Sequence, residues 1–317
     1  MARVLTSAVR QQRTARKPRE DEPAPGKAAT PNEPILPRPE GREFDFTARD
    51  FERIAAMIYE HAGISLSASK QEMVYSRLAR RLRARGLQRF DEYLALLASG
   101  DDEAEWEAFT NSLTTNLTAF FREPHHFPIL AEQMLAQAGS HRIELWCSAS
   151  STGEEPYSMA MTAVEAFGSY APPVHITATD LDTQVLAKAR SGIYPLDRLE
   201  RMPQERLRQF FLKGTGAQAG YARVRPELQQ LITFSPLNLL DRSWAVRGPF
   251  DAIFCRNVMI YFDKKTQRAI LERFVPLLRE DGLLFAGHSE SFQHAADLFR
   301  PRGKTVYEVA HGVRRHG

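Results

Sequence analysis

The 317-residue sequence has only two cysteines, Cys147 and Cys255, and neither belongs to a group with metal-ligand spacing. We therefore expect a reduced protein without disulfides, and we propose no metal. The sequence has no run of 18 apolar residues, so we expect no transmembrane helix. The basic N-terminus lacks the apolar stretch of a secretory signal. Together these absences predict a cytoplasmic protein.

The sequence also has no glycine-rich phosphate-binding loop between the strand and helix predicted over residues 142–157. Residues 142–157 predict a buried strand, a turn of small residues and a helix that opens on Glu154 and Glu155. Two carboxylates at a helix start suit the helix dipole, but they repel phosphate. The turn therefore favours a cationic or polyol ligand over a pyrophosphate.

A second predicted strand ends on Asp180. In a βαβ unit, an acid at the tip of the second strand accepts hydrogen bonds from ribose hydroxyls. The alternative is that Asp180 only caps the helix that starts near Asp182. With the small-residue turn before it, we favour the ribose interpretation. Both features together indicate S-adenosylmethionine, which combines an adenosine with a sulfonium cation and carries no phosphate.

Composition and hydrophobic spacing divide the chain into segments. Thr47 and Asp50 resemble a capping box at the start of a helical region, and proline-rich, basic residues precede it. Later residues alternate between strand and helix patterns, which predicts a doubly wound α/β fold. The predicted parts are a disordered tail (1–43), a helical domain (44–113), a linker and lid helix (114–140), an α/β domain (141–310) with a small antiparallel β-subdomain inserted at about 191–230, and a C-terminal tail (311–317).

Within the α/β domain, apolar runs and helical spacing locate the elements. We predict strands near 142–147, 174–179, 231–235, 250–255 and 282–287, helices near 154–167, 182–190 and 264–279, and a terminal antiparallel hairpin over 299–309. A second helix of the helical domain is predicted from about Ser69 to Arg85.

That helix carries a dense row of positive charge. Arg77, Arg81 and Arg85 recur at four-residue spacing, with Arg80 beside them. Like charges at this spacing repel by a few tenths of a kcal/mol per pair. A solvated helix face is the simplest explanation of most charge runs, but this density favours an acidic partner. Residues 77–85, which carry the row, have no interleaved aromatic residues for base stacking, and this argues against nucleic acid.

Several long motifs, in order, resemble those of the bacterial chemotaxis receptor glutamate O-methyltransferases, the CheR family. They lie at residues 115–123, 151–158, 189–194, 250–263 and 282–290, and the resemblance covers about residues 44–310. It implies a class I S-adenosylmethionine-dependent methyltransferase fold, with an N-terminal all-helical domain and a β-subdomain insertion. It also implies methyl transfer to glutamate side chains of chemoreceptors for adaptation in chemotaxis signalling, giving γ-methyl esters and S-adenosylhomocysteine.

The resemblance places functional residues by position. Arg122 and Tyr261 are the predicted catalytic residues, Arg122 to orient the acceptor carboxylate and Tyr261 to border the methyl path. His125 and His126 are interpreted as structural, because an ionised carboxylate needs no general base. The family's cofactor contacts fall on Asn116, Thr118, Arg122, Glu155, Asp180, Asn238, Leu239, Arg256 and Asn257, and the predicted receptor-binding residues are Arg77, Arg80, Arg81 and Arg85.

The expected partners are cytoplasmic chemoreceptor helices and a receptor C-terminal tail peptide bound by the β-subdomain. We expect a monomer that is recruited to membrane receptor arrays, without nucleic acid or membrane insertion. Two alternatives stay open at this point. One is a cofactor-binding sensor without turnover, and the other is a methyltransferase for RNA or a small molecule.

Overall fold

Helices form the first part of the computed structural model, which describes residues 42–312. The remainder of the predicted N-terminal and C-terminal tails, residues 1–41 and 313–317, lies outside the described residues. The helices are α1 (Ala48–Ala62), α2 (Gln71–Arg85), α3 (Phe90–Ser99), α4 (Glu103–Leu113), α5 (His126–Ala136), α6 (Glu154–Phe167), α7 (Thr183–Ser191), α8 (Gln204–Phe210), α9 (Pro226–Gln229) and α10 (Lys264–Phe274).

The capping box predicted for α1 is confirmed. The Thr47 side chain accepts a hydrogen bond from the Asp50 backbone N–H at 3.1 Å, and the Asp50 carboxylate accepts from the Thr47 N–H at 2.9 Å. Gly63 ends the helix with φ of 66°. Helices α1 to α4 share a core that buries the apolar side chains Phe51, Ile54, Leu78, Leu82, Tyr93 and Phe109.

Residues 42–312 also contain ten strands. They are β1 (Ile143–Cys147), β2 (Val174–Asp180), β3 (Ile193–Pro195), β4 (Phe211–Lys213), β5 (Tyr221–Val224), β6 (Ile232–Pro236), β7 (Phe250–Cys255), β8 (Leu278–Ala286), β9 (Phe299–Gly303) and β10 (Val306–Val309). Seven of them form one sheet in the order β6-β2-β1-β7-β8-β10-β9. The first five are parallel neighbours, and β10 pairs antiparallel with β8 and β9. The predicted α/β fold and terminal hairpin are confirmed.

Both faces of this sheet are buried, as expected for parallel strands with helices on either side. Leu145 and Phe254 pack in one apolar cluster that includes residues of α5 and α6. Trp146 and Ile253, their neighbours in sequence, pack in a second cluster with residues of α10. The alternation explains why the central strands read as continuous apolar runs.

The insertion between α7 and β6 forms its own three-stranded antiparallel sheet, in the order β3-β5-β4. This confirms the predicted β-subdomain. Among residues 42–312, no helix is both long and apolar enough to cross a membrane.

Helix α5 buries Phe127, Leu130 and Met134 in the core beside α6, and the lid role predicted within residues 114–140 stays a prediction. Two predicted elements differ from the structure by several residues at one end. The helix predicted over 264–279 ends at Phe274, because Pro276 in the 3₁₀ turn Val275–Leu277 cannot continue it. Strand β8 therefore starts at Leu278, four residues before the predicted 282.

Candidate functional site

A cavity of about 330 Å³ opens at the carboxyl edge of β1, β2 and β7, beneath α1 and the segment that follows α4. Open α/β sheets bind ligands at this edge. The structure brings all of the predicted cofactor and catalytic positions to its wall: Asn116, Thr118, Arg122, Glu155, Asp180, Asn238, Leu239, Arg256, Asn257 and Tyr261.

The small-residue turn after β1 forms the floor of this cavity. Ser148, Ala149 and Ser151 line it. Ser151 has a positive φ of 47°, and its backbone N–H donates to Oδ2 of Asp180 at 2.7 Å. Gly153 has φ of 99°, and a Cβ there would lie 2.8 Å from the Tyr194 hydroxyl. The turn therefore requires small residues, and it delivers the chain directly into α6 at Glu154.

The structure assigns helix capping and cavity lining to two different acids, Asp182 and Asp180. Asp182 caps α7, because its Oδ1 accepts from the N–H groups of Gln184 and Val185 at 2.9 and 3.2 Å. Asp180 lines the cavity, and its Oδ1 accepts from the Asp182 N–H at 2.9 Å. Burial raises the pKa of Asp180 to about 6. Asp180 is thus not the helix cap, and its carboxylate still has lone pairs for ligand hydroxyls.

Arg256 is the most buried cation of the cavity wall. Its Nη1 lies 2.5 Å from Oε2 of Glu155, and its Nη2 lies 3.4 Å from Oε2 of Glu123. Burial raises the pKa of Glu155, and the charge of Arg256 opposes that shift. The guanidinium is therefore neutralised from two sides. Arg256 holds the start of α6, the loop before α5 and the end of β7 together.

Glu123 is a site-forming residue that sequence reasoning missed. Burial disfavours its charge, but the backbone N–H and ring of His288, with Arg256, lower its pKa to about 2. Its other neighbour, His126, is fully buried and contacts the Lys304 carbonyl oxygen through Nε2 at 2.8 Å. Burial lowers the pKa of His126 to about 4.

The atoms of Glu123, His125 and His126 that could bind a metal lie within 4.8 Å of one another. This grouping was not anticipated from the sequence. The guanidinium of Arg256 already pairs with the Glu123 carboxylate, and its positive charge disfavours a metal cation beside that carboxylate. The absence of a resident metal stays a prediction.

Asn116 and Thr118 lie on the segment between α4 and α5, for which we considered a role as a lid. Asn116 Nδ2 donates to Oδ2 of Asp182 at 2.8 Å, and the Asn116 carbonyl oxygen accepts from the Ser151 hydroxyl at 3.1 Å. Arg122 Nη1 donates to the Leu117 carbonyl oxygen at 2.9 Å. The segment is therefore fixed to the α/β domain on the cavity side.

Asn238 lines the cavity, but its amide already has partners. Nδ2 donates to the His61 carbonyl oxygen at 2.8 Å, and Oδ1 accepts from the Leu240 N–H at 3.0 Å. These bonds connect the end of α1 with the segment after β6. The predicted contact of this amide with an adenine edge stays a prediction, and the neighbouring Leu239 offers an apolar wall.

Asn257 follows Arg256 in a left-handed conformation, with φ of 59°. A buried carboxylate holds this turn, since Oε2 of Glu290 accepts from the N–H groups of Asn257 and Gly287 at 2.9 and 2.5 Å. A Cβ at Gly287 would lie 2.4 Å from Asn257 Nδ2. Glu290 was not singled out from the sequence. Tyr261, at the end of the 3₁₀ turn Met259–Tyr261, places its hydroxyl 3.5 Å from the Thr115 carbonyl oxygen.

Unusual backbone conformations concentrate around the cavity. Among residues 42–312, six non-glycine residues have positive φ. Ser151 and Asn257 line the cavity, and Phe121 and Glu123 flank its lining residue Arg122. Such conformations cost on the order of 1–3 kcal/mol each and persist where the surroundings enforce them. Their clustering marks this cavity as the functional site.

The arginine row of α2 is largely engaged within the protein. Arg81 makes a bidentate pair with buried Glu105 at 3.0 and 2.6 Å, and Arg85 pairs with Asp102 at 2.6 Å. Arg77 donates to the Thr114 carbonyl oxygen at 2.6 Å. Arg80 is exposed. Internal partners thus explain most of the row, and its role in receptor binding stays a prediction that Arg80 fits best.

The parallel sheet, the acid at the tip of β2 and a cavity without a phosphate loop define a class I methyltransferase. The volume lies within the range of small-molecule sites. Family models extend this assignment: the CheR methyltransferase SAM binding domain matches residues 116–308, and the CheR methyltransferase all-alpha domain matches residues 49–114. The chain belongs to the CheR methyltransferase family, and it is an S-adenosylmethionine-dependent methyltransferase.

Relatives cover most of the chain. Chemotaxis protein methyltransferase 2 of Pseudomonas aeruginosa is 55% identical over 270 residues, which are 85% of this chain and 96% of the relative. The chemotaxis protein methyltransferase of Escherichia coli is 55% identical over 260 residues, 82% of this chain and 90% of the relative. A probable chemotaxis protein methyltransferase of Rhizobium etli is 41% identical over 259 residues, 79% of this chain and 96% of the relative.

Proposed function

We propose that this protein transfers a methyl group from S-adenosylmethionine to glutamate side chains of chemoreceptors. The products are glutamate γ-methyl esters and S-adenosylhomocysteine. The observation that supports this proposal is the convergence of ten predicted positions, from segments far apart in sequence, on one cavity wall. The names of the relatives, chemotaxis protein methyltransferases, indicate the receptor as acceptor.

The residues of the cavity fit the cofactor. Asp180 would hold the ribose hydroxyls through its buried carboxylate, and Leu239 would offer an apolar contact. Glu155 would supply negative charge for the sulfonium, while Arg256 stays neutralised between Glu155 and Glu123. Asn116, Thr118 and Asn257 complete the polar wall. This pattern of charge fits a cationic nucleoside without phosphate.

When bound, S-adenosylmethionine supplies an electrophilic methyl group on a sulfonium. The acceptor glutamate is ionised near pH 7, so no general base is needed. A carboxylate oxygen forms the new C–O bond as the C–S bond breaks, and the sulfur keeps that electron pair. The protein's contribution is alignment, which can be worth on the order of 7–11 kcal/mol. Arg122 orients the carboxylate, and Tyr261 borders the methyl path.

The partners follow from the same proposal. A cytoplasmic helix of the receptor presents the acceptor glutamate, and exposed Arg80 contacts acidic groups of that helix. The free edges of β3 and β4 can accept an added strand, which suits a receptor tail peptide. We propose that the enzyme acts as a cytoplasmic monomer that is recruited to receptor arrays.

The direct test uses methyl-labelled S-adenosylmethionine and membranes that contain the chemoreceptor. Label that appears on the receptor and is released by mild base identifies a carboxyl methyl ester. Membranes whose receptor carries Gln at the acceptor positions are the control and should stay unlabelled. Tight cofactor binding without transfer to the receptor would contradict the proposed acceptor.

A further inference from the structure

Two strongly exposed apolar side chains lie at the mouth of the cavity. Among residues 42–312, Leu117 is the most exposed large hydrophobic residue, at 75%, and Ile260 follows at 50%. Both also line the cavity. A single exposed apolar side chain is ordinary on a protein surface. Here the two most exposed large hydrophobic side chains of residues 42–312 line the same cavity, and this requires a physical explanation.

The backbone of both residues is held firmly. The Leu117 carbonyl oxygen accepts from Arg122 Nη1 at 2.9 Å. Ile260 is the middle residue of the 3₁₀ turn Met259–Tyr261. The preceding residue of this turn, Met259, has a buried side chain. The Gln267 amide donates to the carbonyl oxygens of Met259 and Phe262 at 2.8 and 3.0 Å. The side chains are thus presented to solvent by fixed backbone, as at a prepared binding surface.

We propose that Leu117 and Ile260 form an apolar lip that contacts an apolar side chain of the receptor helix next to the acceptor glutamate. This rests on the proposed function. Residues three or four apart on a helix are neighbours, with Cβ atoms about 5–6 Å apart. A glutamate that enters the cavity therefore brings its neighbours one turn away against the rim. The lip then selects glutamates that have an apolar residue at that spacing.

Charge complementarity supports this occupant. Arg122 and Lys70 line the same cavity as the lip, so positive charge stands beside the apolar surface. A helix that offers a carboxylate with an apolar neighbour matches both features at once. Burial of the lip by the helix would also keep water from the acceptor carboxylate during transfer.

The test compares Leu117→Ser and Ile260→Ser with wild-type enzyme on receptor-containing membranes. We expect each variant to raise the KM for receptor about tenfold, a typical effect of one lost apolar contact. The Kd for S-adenosylhomocysteine and the melting temperature should stay at wild-type values. Leu135→Ser is the matched control, because Leu135 is 49% exposed but does not line the cavity.

A second arm changes the substrate. Replacing the apolar receptor residues three or four positions from the acceptor glutamate by Ser should raise the KM of wild-type enzyme and have less effect on the lip variants. An unchanged receptor KM in both lip variants, or a weakened Kd for S-adenosylhomocysteine, would overturn the lip alone. Absence of receptor methylation by wild-type enzyme would instead overturn the proposed function together with the lip.

Discussion

Nη1 of Arg256 lies 2.5 Å from Oε2 of Glu155, and both side chains are largely buried at the floor of the cavity. The two residues are 101 positions apart in sequence, so this pair ties the end of β7 to the start of α6. A buried ion pair contributes little net stability when it is complete. Removal of one partner leaves the charge of the other buried and uncompensated, and this should lower the free energy of unfolding measurably.

Glu155→Ala should lower the free energy of unfolding by about 3 kcal/mol, because it leaves Arg256 buried with Glu123 as its remaining acidic neighbour. It should also weaken S-adenosylmethionine binding, since the positive charge of Arg256 would then be less compensated beside a cofactor that carries a sulfonium cation. Denaturant unfolding and calorimetric titration measure the two effects. Glu272→Ala removes a carboxylate from an exposed pair with Arg268 and should change neither. Wild-type stability in Glu155→Ala would contradict the importance of the pair.

Asp180 predicts a pH dependence of cofactor binding. Its folded pKa is about 6 through burial, against about 3.9 in an unfolded chain. The native state thus binds more protons between these values, and the contribution of Asp180 to stability falls as pH rises through this window. Ribose hydroxyls favour the ionised carboxylate. Affinity for S-adenosylhomocysteine should therefore decrease below pH 6, by up to about tenfold per pH unit.

Asp180→Asn is the control for this pH dependence. The amide cannot ionise, so this variant should bind more weakly at pH 7 and show no comparable decrease between pH 6 and 5. Calorimetric titration at several pH values measures both proteins. A wild-type affinity that is constant from pH 7 to pH 5 would exclude Asp180 as the ionised acceptor.

Much of the fold could be predicted from local patterns in the sequence. The predicted bounds of α6 coincide with the observed Glu154–Phe167, because glycines with positive φ stand at both ends. Apolar runs located the parallel strands, since these strands are buried on both faces. The sequence does not determine the role of helix α5, because a helix before a sheet can cover a ligand or the core. The structure packs Phe127 and Leu130 of this helix in the core.

The site was only partly predictable, for a different reason. Its motifs stand out in the sequence, and two of them end on Glu123 and Glu290, but the motifs do not show which distant residues these acids contact. Glu123 meets His288 from 165 positions away, and Glu290 meets Asn257 from 33 positions away. Single acids in loops carry no signal of such distant partners. The internal partners of the α2 arginines could not be predicted for the same reason, because Glu105 lies on another helix.

The α2 arginines can be separated by substitution. Arg81→Ala leaves the buried Glu105 carboxylate without its bidentate partner and should cost about 3 kcal/mol of unfolding free energy. Arg80→Ala should leave stability unchanged and raise the KM for receptor about threefold, as for a rim charge. Thermal unfolding and receptor methylation at varied receptor concentration distinguish the two. An unchanged KM in Arg80→Ala would exclude this position from receptor binding.

Arg122 should act on the chemical step. Arg122→Ala removes the group proposed to orient the acceptor and should lower the rate constant of methyl transfer about 10²-fold, the scale of a misplaced reactant. Arg122→Lys keeps the charge but loses the planar geometry and should recover part of the rate. Single-turnover methylation with cofactor and receptor at saturation measures this. Normal turnover in Arg122→Ala would remove the orienting role.

Glu290 should act through Asn257, whose left-handed turn it holds by accepting two backbone N–H bonds. Glu290→Ala leaves these buried donors unpaired and should raise the KM for S-adenosylmethionine at least about tenfold. Glu290→Gln keeps an acceptor oxygen and should stay within about threefold of wild type. Asn257→Gly loses its amide but adopts positive φ freely. If Glu290 works by holding this turn, Glu290→Ala should therefore cost much less affinity in the Asn257→Gly background. Equal losses in both backgrounds would show that Glu290 acts independently of Asn257.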